Sequence, residues 1–209
     1  MSINNVYKLL ILLPLLILGC KSEKIKNNKV VQKIDTFNLN IYSKEGNKIY
    51  SIISPNSIYD RISNKLNLTK TTIESYKNNN VKYTIVSNKS KLTNNHQILE
   101  LTGNVELRNN NIKNEVLNAD KFIWEINNST YTLIGKVKFE NKNIILTSNK
   151  AILGENNVIE FFNPVKYINK ADHNGQMYEV ISENAFYNIN TGSVNFSSRN
   201  KRVRSKISF

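Results

Sequence analysis

The most restrictive feature of this sequence is a unit that recurs at intervals of 29 to 34 residues. Its clearest copy, residues 86–107, reads VSNKSKLTNNHQILELTGNVEL. It opens on a small polar, turn-like group, Ser87-Asn88-Lys89-Ser90. It closes on a run in which Leu99, Leu101, Val105 and Leu107 fall on one side of a two-residue period and Glu100, Asn104 and Glu106 on the other. That alternation specifies a half-buried β-strand. Gly103, on the apolar side, marks a bend, a bulge or the close approach of another backbone. The same order returns when Ala119-Asp120-Lys121-Phe122 leads to Tyr131, Leu133, Gly135, Val137 and Phe139, and when Ser148-Asn149-Lys150-Ala151 leads to Ile159, Phe161, Asn163, Val165 and Tyr167. A weaker copy starts at Ser54-Pro55-Asn56-Ser57, and a shortened one runs from Ser182-Glu183-Asn184-Ala185 to Gly192, Val194 and Phe196. Repetition at this period signals stacked supersecondary units, here β-hairpins.

The first residues set where such a stack works. Asn4, Asn5 and Lys8 precede an apolar run from Leu9 to Leu18 interrupted only by Pro14. The run is too short for a bilayer span, which takes about 20 residues, and suits the core of a secretory signal. Its end, Ile17-Leu18-Gly19-Cys20, resembles the lipobox of bacterial lipoproteins, in which Cys20 is acylated and becomes the first mature residue. A plain membrane anchor with an incidental cysteine and a buried hydrophobic segment of the domain are the alternatives. Cys20 is the only cysteine in the sequence, so no intramolecular disulfide forms. The expected organisation is a lipoprotein signal peptide over residues 1–19, an acylated Cys20 and polar tether over 20–33, a β domain over 34–198 and a basic C-terminal tail over 199–209.

A net charge of +13 on 209 residues, falling to +12 when residues 1–19 and their single Lys8 are removed, admits nucleic acid, anionic membranes or anionic ligands as partners. Export disfavours nucleic acid, and no motif for it is present. Most lysines stand with asparagines at the polar positions of strands and in turns, where they keep edges soluble. A denser group, Arg199, Lys201, Arg202, Arg204 and Lys206, closes the chain.

In chain order, Phe37, Leu39 and Ile41 alternate into the turn Glu45-Gly46-Asn47, and residues 49–53 return as the second strand of a hairpin. Residues 66–76 form the next strand region, closed by Asn78-Asn79-Asn80. Between residues 116 and 126 both faces are apolar, with Phe122, Trp124 and Ile126 on one side and Leu117, Ala119 and Ile123 on the other. A strand covered on both faces accounts for this, and a short helix is the alternative. Asn127-Asn128-Ser129, Glu155-Asn156-Asn157 and His173-Asn174-Gly175 read as turns, and Pro164 within a strand run marks an edge or a bulge.

The hairpin Phe37-Asn38-Leu39-Asn40-Ile41-Tyr42-Ser43-Lys44-Glu45-Gly46, the downstream Ile58-Tyr59-Asp60 and the unit at residues 86–107 with its glycine-x-valine ending resemble LptC, the periplasmic lipopolysaccharide-export family. The resemblance is clear over residues 36–107 and looser to Phe196. It implies an all-β fold, a twisted open β-jelly roll of stacked antiparallel hairpin repeats with an apolar groove. It also implies a carrier that receives lipopolysaccharide from an inner-membrane ABC transporter and passes it to an LptA-like bridge, in the periplasm, anchored to the inner membrane by a lipid on Cys20 or by the N-terminal segment. Under it, Phe37, Leu68, Leu99, Leu101, Val105, Leu107, Leu133, Val137, Phe139, Phe161, Val165 and Ala185 line the groove. Gly46 marks the end that docks on the transporter, and Val194 and Phe196 the edge that docks on the bridge. An LptA-like protein, or another envelope structural lipoprotein of the same superfamily, is the alternative.

The residues themselves point to carriage more than to catalysis. His96 and His173, the only histidines, lie in asparagine-rich loops without a neighbouring cysteine or ligand-spaced acidic pair. No catalytic residue, metal ligand or cofactor is nominated, although a polysaccharide-processing enzyme whose carboxylates lie far apart in sequence stays open as a weaker alternative. The apolar row itself has two readings, a groove wall or an ordinary closed core.

Overall fold

The computed structural model describes residues 31–93, 97–112, 114–128, 130–154, 156–170, 177–199 and 202–208. Cys20, the signal segment and most of the expected tether, His96 and the His173-Asn174-Gly175 turn lie outside the described residues. Among the described residues twelve strands form one antiparallel sheet: β1 (Val31–Tyr42), β2 (Lys48–Asp60), β3 (Lys65–Lys77), β4 (Asn80–Thr93), β5 (Ile98–Asn109), β6 (Val116–Glu125), β7 (Thr130–Glu140), β8 (Ile144–Leu153), β9 (Val158–Asn169), β10 (Met177–Asn188), β11 (Val194–Ser197) and β12 (Arg204–Ser208). From β1 to β11 each strand pairs with its successor, so the chain is a meander of hairpins, as the repeat predicts. Only one short 3-10 turn, Ile126–Asn128, departs from strand and loop among the described residues.

The sheet is folded on itself. Tyr50 on β2 and Trp124 on β6 have ring centroids 4.4 Å apart, yet strands spaced about 4.8 Å would hold them roughly 19 Å apart in a flat sheet. Phe139 on β7 likewise meets Tyr187 on β10 at 4.4 Å. The crease runs through the middle of the strands, where the pairing register is interrupted: Val86/Lys89 on β4, Thr102/Val105 on β5, Asn118/Lys121 on β6, Ile134/Val137 on β7, Thr147/Lys150 on β8 and Ser182/Asn184 on β10. Bulges bend the bulged strand and increase its twist, and a row of them in register folds one sheet into two facing leaves.

This crease corrects the expectation that the recurring polar groups are turn-like. Each lies mid-strand. Ser54, Ser87, Ser148 and Ser182 are buried, and each hydroxyl donates to the carbonyl two residues on: Asn56 at 2.7 Å, Lys89 at 3.3 Å, Lys150 at 2.8 Å and Asn184 at 2.9 Å. The bulge frees a carbonyl from the ladder, and the serine satisfies it locally. Ala119 takes the same position in β6.

The crease also shifts the inward face by one residue. In β6, Leu117 and Ala119 point inward before it, and Phe122 and Trp124 after it. This explains the apolar residues on both sides of the period in residues 116–126: one face of a bulged strand changes parity, and the segment is strand rather than helix. In β5 and β7 paired left-handed residues, Gly103-Asn104 and Gly135-Lys136, restore the phase, so Leu99, Leu101, Val105 and Leu107 stay on one face. Pro164 sits at the crease of β9, which is paired on both sides, so it marks a bulge and not an edge.

Between strands, Ser43 and Asn47 close the β1–β2 turn through a 2.8 Å backbone bond with Gly46 at φ +81°. Asn78 and Asn79, both left-handed, make the two-residue β3–β4 turn. At the far end, residues 204–208 of the stretch expected to be a basic tail form β12, so Val194–Ser197 is not the last strand. β11 covers Asn184 to Tyr187 of β10, and β12 covers Met177 to Ile181, so the last strand of the sheet is in two pieces that part at the crease.

Candidate functional site

The space between the leaves is lined mainly by apolar side chains, with the buried serines Ser57 and Ser90 among them. One ladder of facing neighbours runs across a leaf through Ile34, Ser57, Leu68, Ser90, Leu101, Phe122, Leu133, Ala151, Phe161, Ala185 and Phe196. On the other leaf, Ile52, Ile73, Ile85, Leu107, Leu117, Phe139, Leu146 and Tyr167 are neighbours in the same way. Burial of each leucine, isoleucine or phenylalanine among them is worth about 1.5–3 kcal/mol, so this interior is also the core that holds the domain together.

The structure brings the expected groove residues onto this one inner surface. Leu68, Leu99, Leu101, Val105, Leu107, Leu133, Val137, Phe139, Phe161, Val165 and Ala185 are buried, with Leu107 the most accessible at 8 %. Phe37 is half-buried. The packing tightens in the middle and loosens toward both ends. Ile34, Phe37, Leu39 and Ile41 on β1, and Val194 and Phe196 on β11, only lean against the core.

Two aromatic groups join the leaves. Trp124 lies between Tyr50 and Tyr131, with centroids at 4.4 and 5.8 Å, and the two tyrosine hydroxyls share a 2.8 Å hydrogen bond. Phe139 meets Tyr187 and Phe161, at 4.4 and 6.5 Å. Beside Tyr50 and Tyr131 a mouth of about 250 Å³ opens, bordered by Lys82, Tyr83 and Asn157. Burial pushes the Tyr83 hydroxyl up to about 12, with Glu115 adding to it. Burial raises the Glu115 carboxyl, against the Asn109 amide and Lys82, and lowers the Lys82 ammonium. Among the described residues Tyr83 Oη and Trp124 Nε1 are buried without a hydrogen-bond partner, an omission that costs about 1–3 kcal/mol for each group.

The periodic row names the inner-face residues and includes Tyr131, but Tyr50 and Tyr187 are missed, because what matters in them is contact across the fold and not position in a strand. Of the residues expected to dock partners, Gly46 is exposed at the β1–β2 turn, with nothing within 4 Å of where a Cβ would stand. Val194 and Phe196 lie on β11, which has one strand neighbour, and Phe196 packs edge-on to Tyr167 at 5.3 Å. The two expected docking positions are therefore at opposite ends of the meander. Among the described residues no group of three or more His, Cys, Asp or Glu side chains is placed to hold a metal ion, and no helix is long and apolar enough to cross a membrane.

Residues 12–130 match the family model described as lipopolysaccharide-assembly, LptC-related. No curated protein matches the sequence. Among solved structures, the chain is similar to LptH of Pseudomonas aeruginosa, the LptA-homologous periplasmic component of the conserved lipopolysaccharide transport device. Identity is 13 %, coverage is 61 % of this chain and 94 % of that one, and the TM-score is 0.45.

Proposed function

The chain belongs to the LptC-related family of lipopolysaccharide-assembly proteins, and from that premise we propose that it carries the acyl chains of lipopolysaccharide between its two leaves. The observation that supports this reading is the gradient in packing. The inner surface is one mainly apolar strip whose end residues, Phe37 and Leu39 at one end and Val194 and Phe196 at the other, are only half-buried. An acyl chain entering at an end gains about 0.8 kcal/mol for each methylene it buries. It needs the leaves to part by a chain's width, which spreads the tightly packed middle.

In this reading the β1–β2 end, with its Gly46 turn, receives the lipid from an inner-membrane ABC transporter, and the β10–β11 edge passes it to an LptA-like bridge by strand addition, a mode in which backbone hydrogen bonds supply the affinity. β12 already occupies part of β10, so a bridge strand adds to β11 or displaces β12. The protein stands in the periplasm, held at the inner membrane by the lipid on Cys20 or by the N-terminal segment. Loss of fatty-acid label in Cys20→Ala tests the first form of that anchor.

One photo-crosslinking experiment in cells tests the route. Probes replacing Phe37 and Phe139 should capture lipopolysaccharide, one at Asn47 the transporter, and one at Asn195 the bridge. A probe replacing Glu106, on the outward face, should capture none of them. Equal lipid capture at Phe139 and Glu106, or none at Phe37 and Phe139, removes the carrier reading. Failure at Asn47 or Asn195 removes only the corresponding dock.

A further inference from the structure

The outer face of the sheet carries a second, chemically different site. Lys138, Thr147, Lys166, Ile181 and Arg204 are successive cross-strand neighbours on β7, β8, β9, β10 and β12. Strand spacing of about 4.8 Å sets the three cations roughly 10 Å apart along this row. Along the crease beside them runs a cleft of about 540 Å³, to which Lys136, Asn149 and Pro164 contribute and which the buried crease residues Val137, Ser148 and Val165 also line. It adjoins a second cavity of about 290 Å³ where β11 and β12 part, bordered by Arg202, Arg204 and Glu183, and Pro164 and Ile181 border both.

The positive charge is only partly compensated where the two cavities meet, with the Glu183 carboxylate bordering the second. Lys138 pairs with Glu140 at 2.6 Å and Lys166 with Glu179 at 2.9 Å, both acids lying on the next outward row. No carboxylate pairs with Lys136, Arg202 or Arg204 among the described residues. Glu183 accepts the backbone N–H of Arg199 at 2.8 Å. Lys136, exposed and lining the cleft, is held at φ +45°, a conformation uncommon outside glycine and asparagine. Cations, the hydroxyl and amide of Thr147 and Asn149, and the apolar surfaces of Pro164 and Ile181 are together what a sugar bearing phosphate requires: ionic contacts for the anion, hydrogen bonds for hydroxyls, and an apolar patch for the ring face. The volume exceeds the needs of a lone phosphate ion.

We propose that this outward cleft binds a phosphorylated saccharide. Assigning that saccharide to the headgroup of the carried glycolipid rests on the carrier reading, whereas binding of a sugar phosphate does not. The second cavity opens at the gap between β11 and β12, on the strand that carries the half-buried Phe196, so a lipid with its chains between the leaves at that end has its headgroup beside the cleft.

The test is titration of the full-length chain with a phosphorylated hexosamine, its unphosphorylated parent and inorganic phosphate, by calorimetry and by amide chemical shifts. Wild type should bind the phosphorylated sugar, with shifts at Lys136, Thr147 and Ile181. Lys136→Asn combined with Arg202→Gln, which keeps a residue tolerant of positive φ at position 136, should weaken binding about tenfold or more, as expected for the loss of two charge-assisted contacts. No binding, unchanged affinity in the double variant, equal affinity for the unphosphorylated parent, or equal affinity for phosphate alone would each overturn the proposal. Glycolipid copurifying with wild type but reduced in the double variant identifies the source as the headgroup. Sugar-phosphate binding lost while copurified lipid is unchanged identifies a soluble sugar phosphate. If no acyl lipid copurifies and the cleft still binds, the carrier reading fails and the cleft stands.

Discussion

Gly135 stands against Asp120 across the crease, where a Cβ added to the glycine would lie 2.7 Å from Asp120 Oδ2 and 3.1 Å from its Cβ. Gly135 is also at φ +76°, which costs a side chain-bearing residue about 1–2 kcal/mol. Gly135→Ala should therefore lower unfolding stability by about 2–3 kcal/mol, the backbone cost plus a modest overpacking cost. Asp120→Gly in the same chain should recover the overpacking part and leave the backbone part. Denaturant melts of the singles and the double check this, and full recovery would mean that backbone conformation contributes nothing.

The buried serines of the crease should differ in cost according to what they hold. Ser148 donates only to the Lys150 carbonyl, and Ala119 shows that alanine is accommodated at the equivalent position, so Ser148→Ala should cost about 0.5–1.5 kcal/mol. Ser54 shares its single hydroxyl proton between the carbonyls of Asn56 and Thr69 and accepts the Thr69 N–H, at 2.7, 2.8 and 3.1 Å. Ser54→Ala leaves buried backbone groups without a partner and should cost more, about 1–3 kcal/mol. Equal losses in thermal melts would contradict the assignment.

Acid should act through Glu140 and Glu115 in opposite directions. Hydrogen bonds from Lys138 and then Lys170 bring the Glu140 carboxyl down to about 2 from its ordinary 4.5. Its folded value is below its unfolded one, so it contributes stability above pH 4.5 that is lost as pH falls toward 2. Solvent screens the pair and keeps the effect modest. Glu115, raised by burial, binds its proton more tightly when folded, so its contribution falls as pH rises above 4.5. Glu140→Gln should flatten the loss of melting temperature between pH 4.5 and 2, and Glu115→Gln should be as stable as wild type or more so at pH 7. Parallel pH profiles for wild type and Glu140→Gln would show that the pair does not couple to folding.

Much of this was legible in the sequence because strand alternation and repetition are local signals. The row from Leu99 to Leu107 and its counterparts in β7 and β9 predict the inner face directly, since paired left-handed residues in β5 and β7 preserve parity. The serine-centred groups were legible as special positions but not as mid-strand creases. Ser, Asn and Lys serve turns and bulges alike, and only the partner strand's register decides between them. The double-faced pattern around Phe122 is the trace of that crease, visible in retrospect as a parity change. β12 was not legible, because Arg204-Ser205-Lys206-Ile207-Ser208 has a single apolar residue and is a strand only through the edge that β10 offers it. The Tyr50–Tyr131 contact was hidden for a similar reason, since nothing within either hairpin specifies which strands of the opposite leaf it will meet.

The in-register crease makes the length of the interior a separable variable. The strands from β4 to β10 bend at the same level, so the cross-section of the trough is set within one hairpin, while the number of hairpins sets only how far it extends. Adding or removing one repeat changes the reach by two strand spacings, about 10 Å, and leaves every remaining residue on its own face. A chain built this way can evolve toward a longer or shorter cargo, or a wider gap between partners, by duplicating or deleting whole hairpins without redesigning the wall.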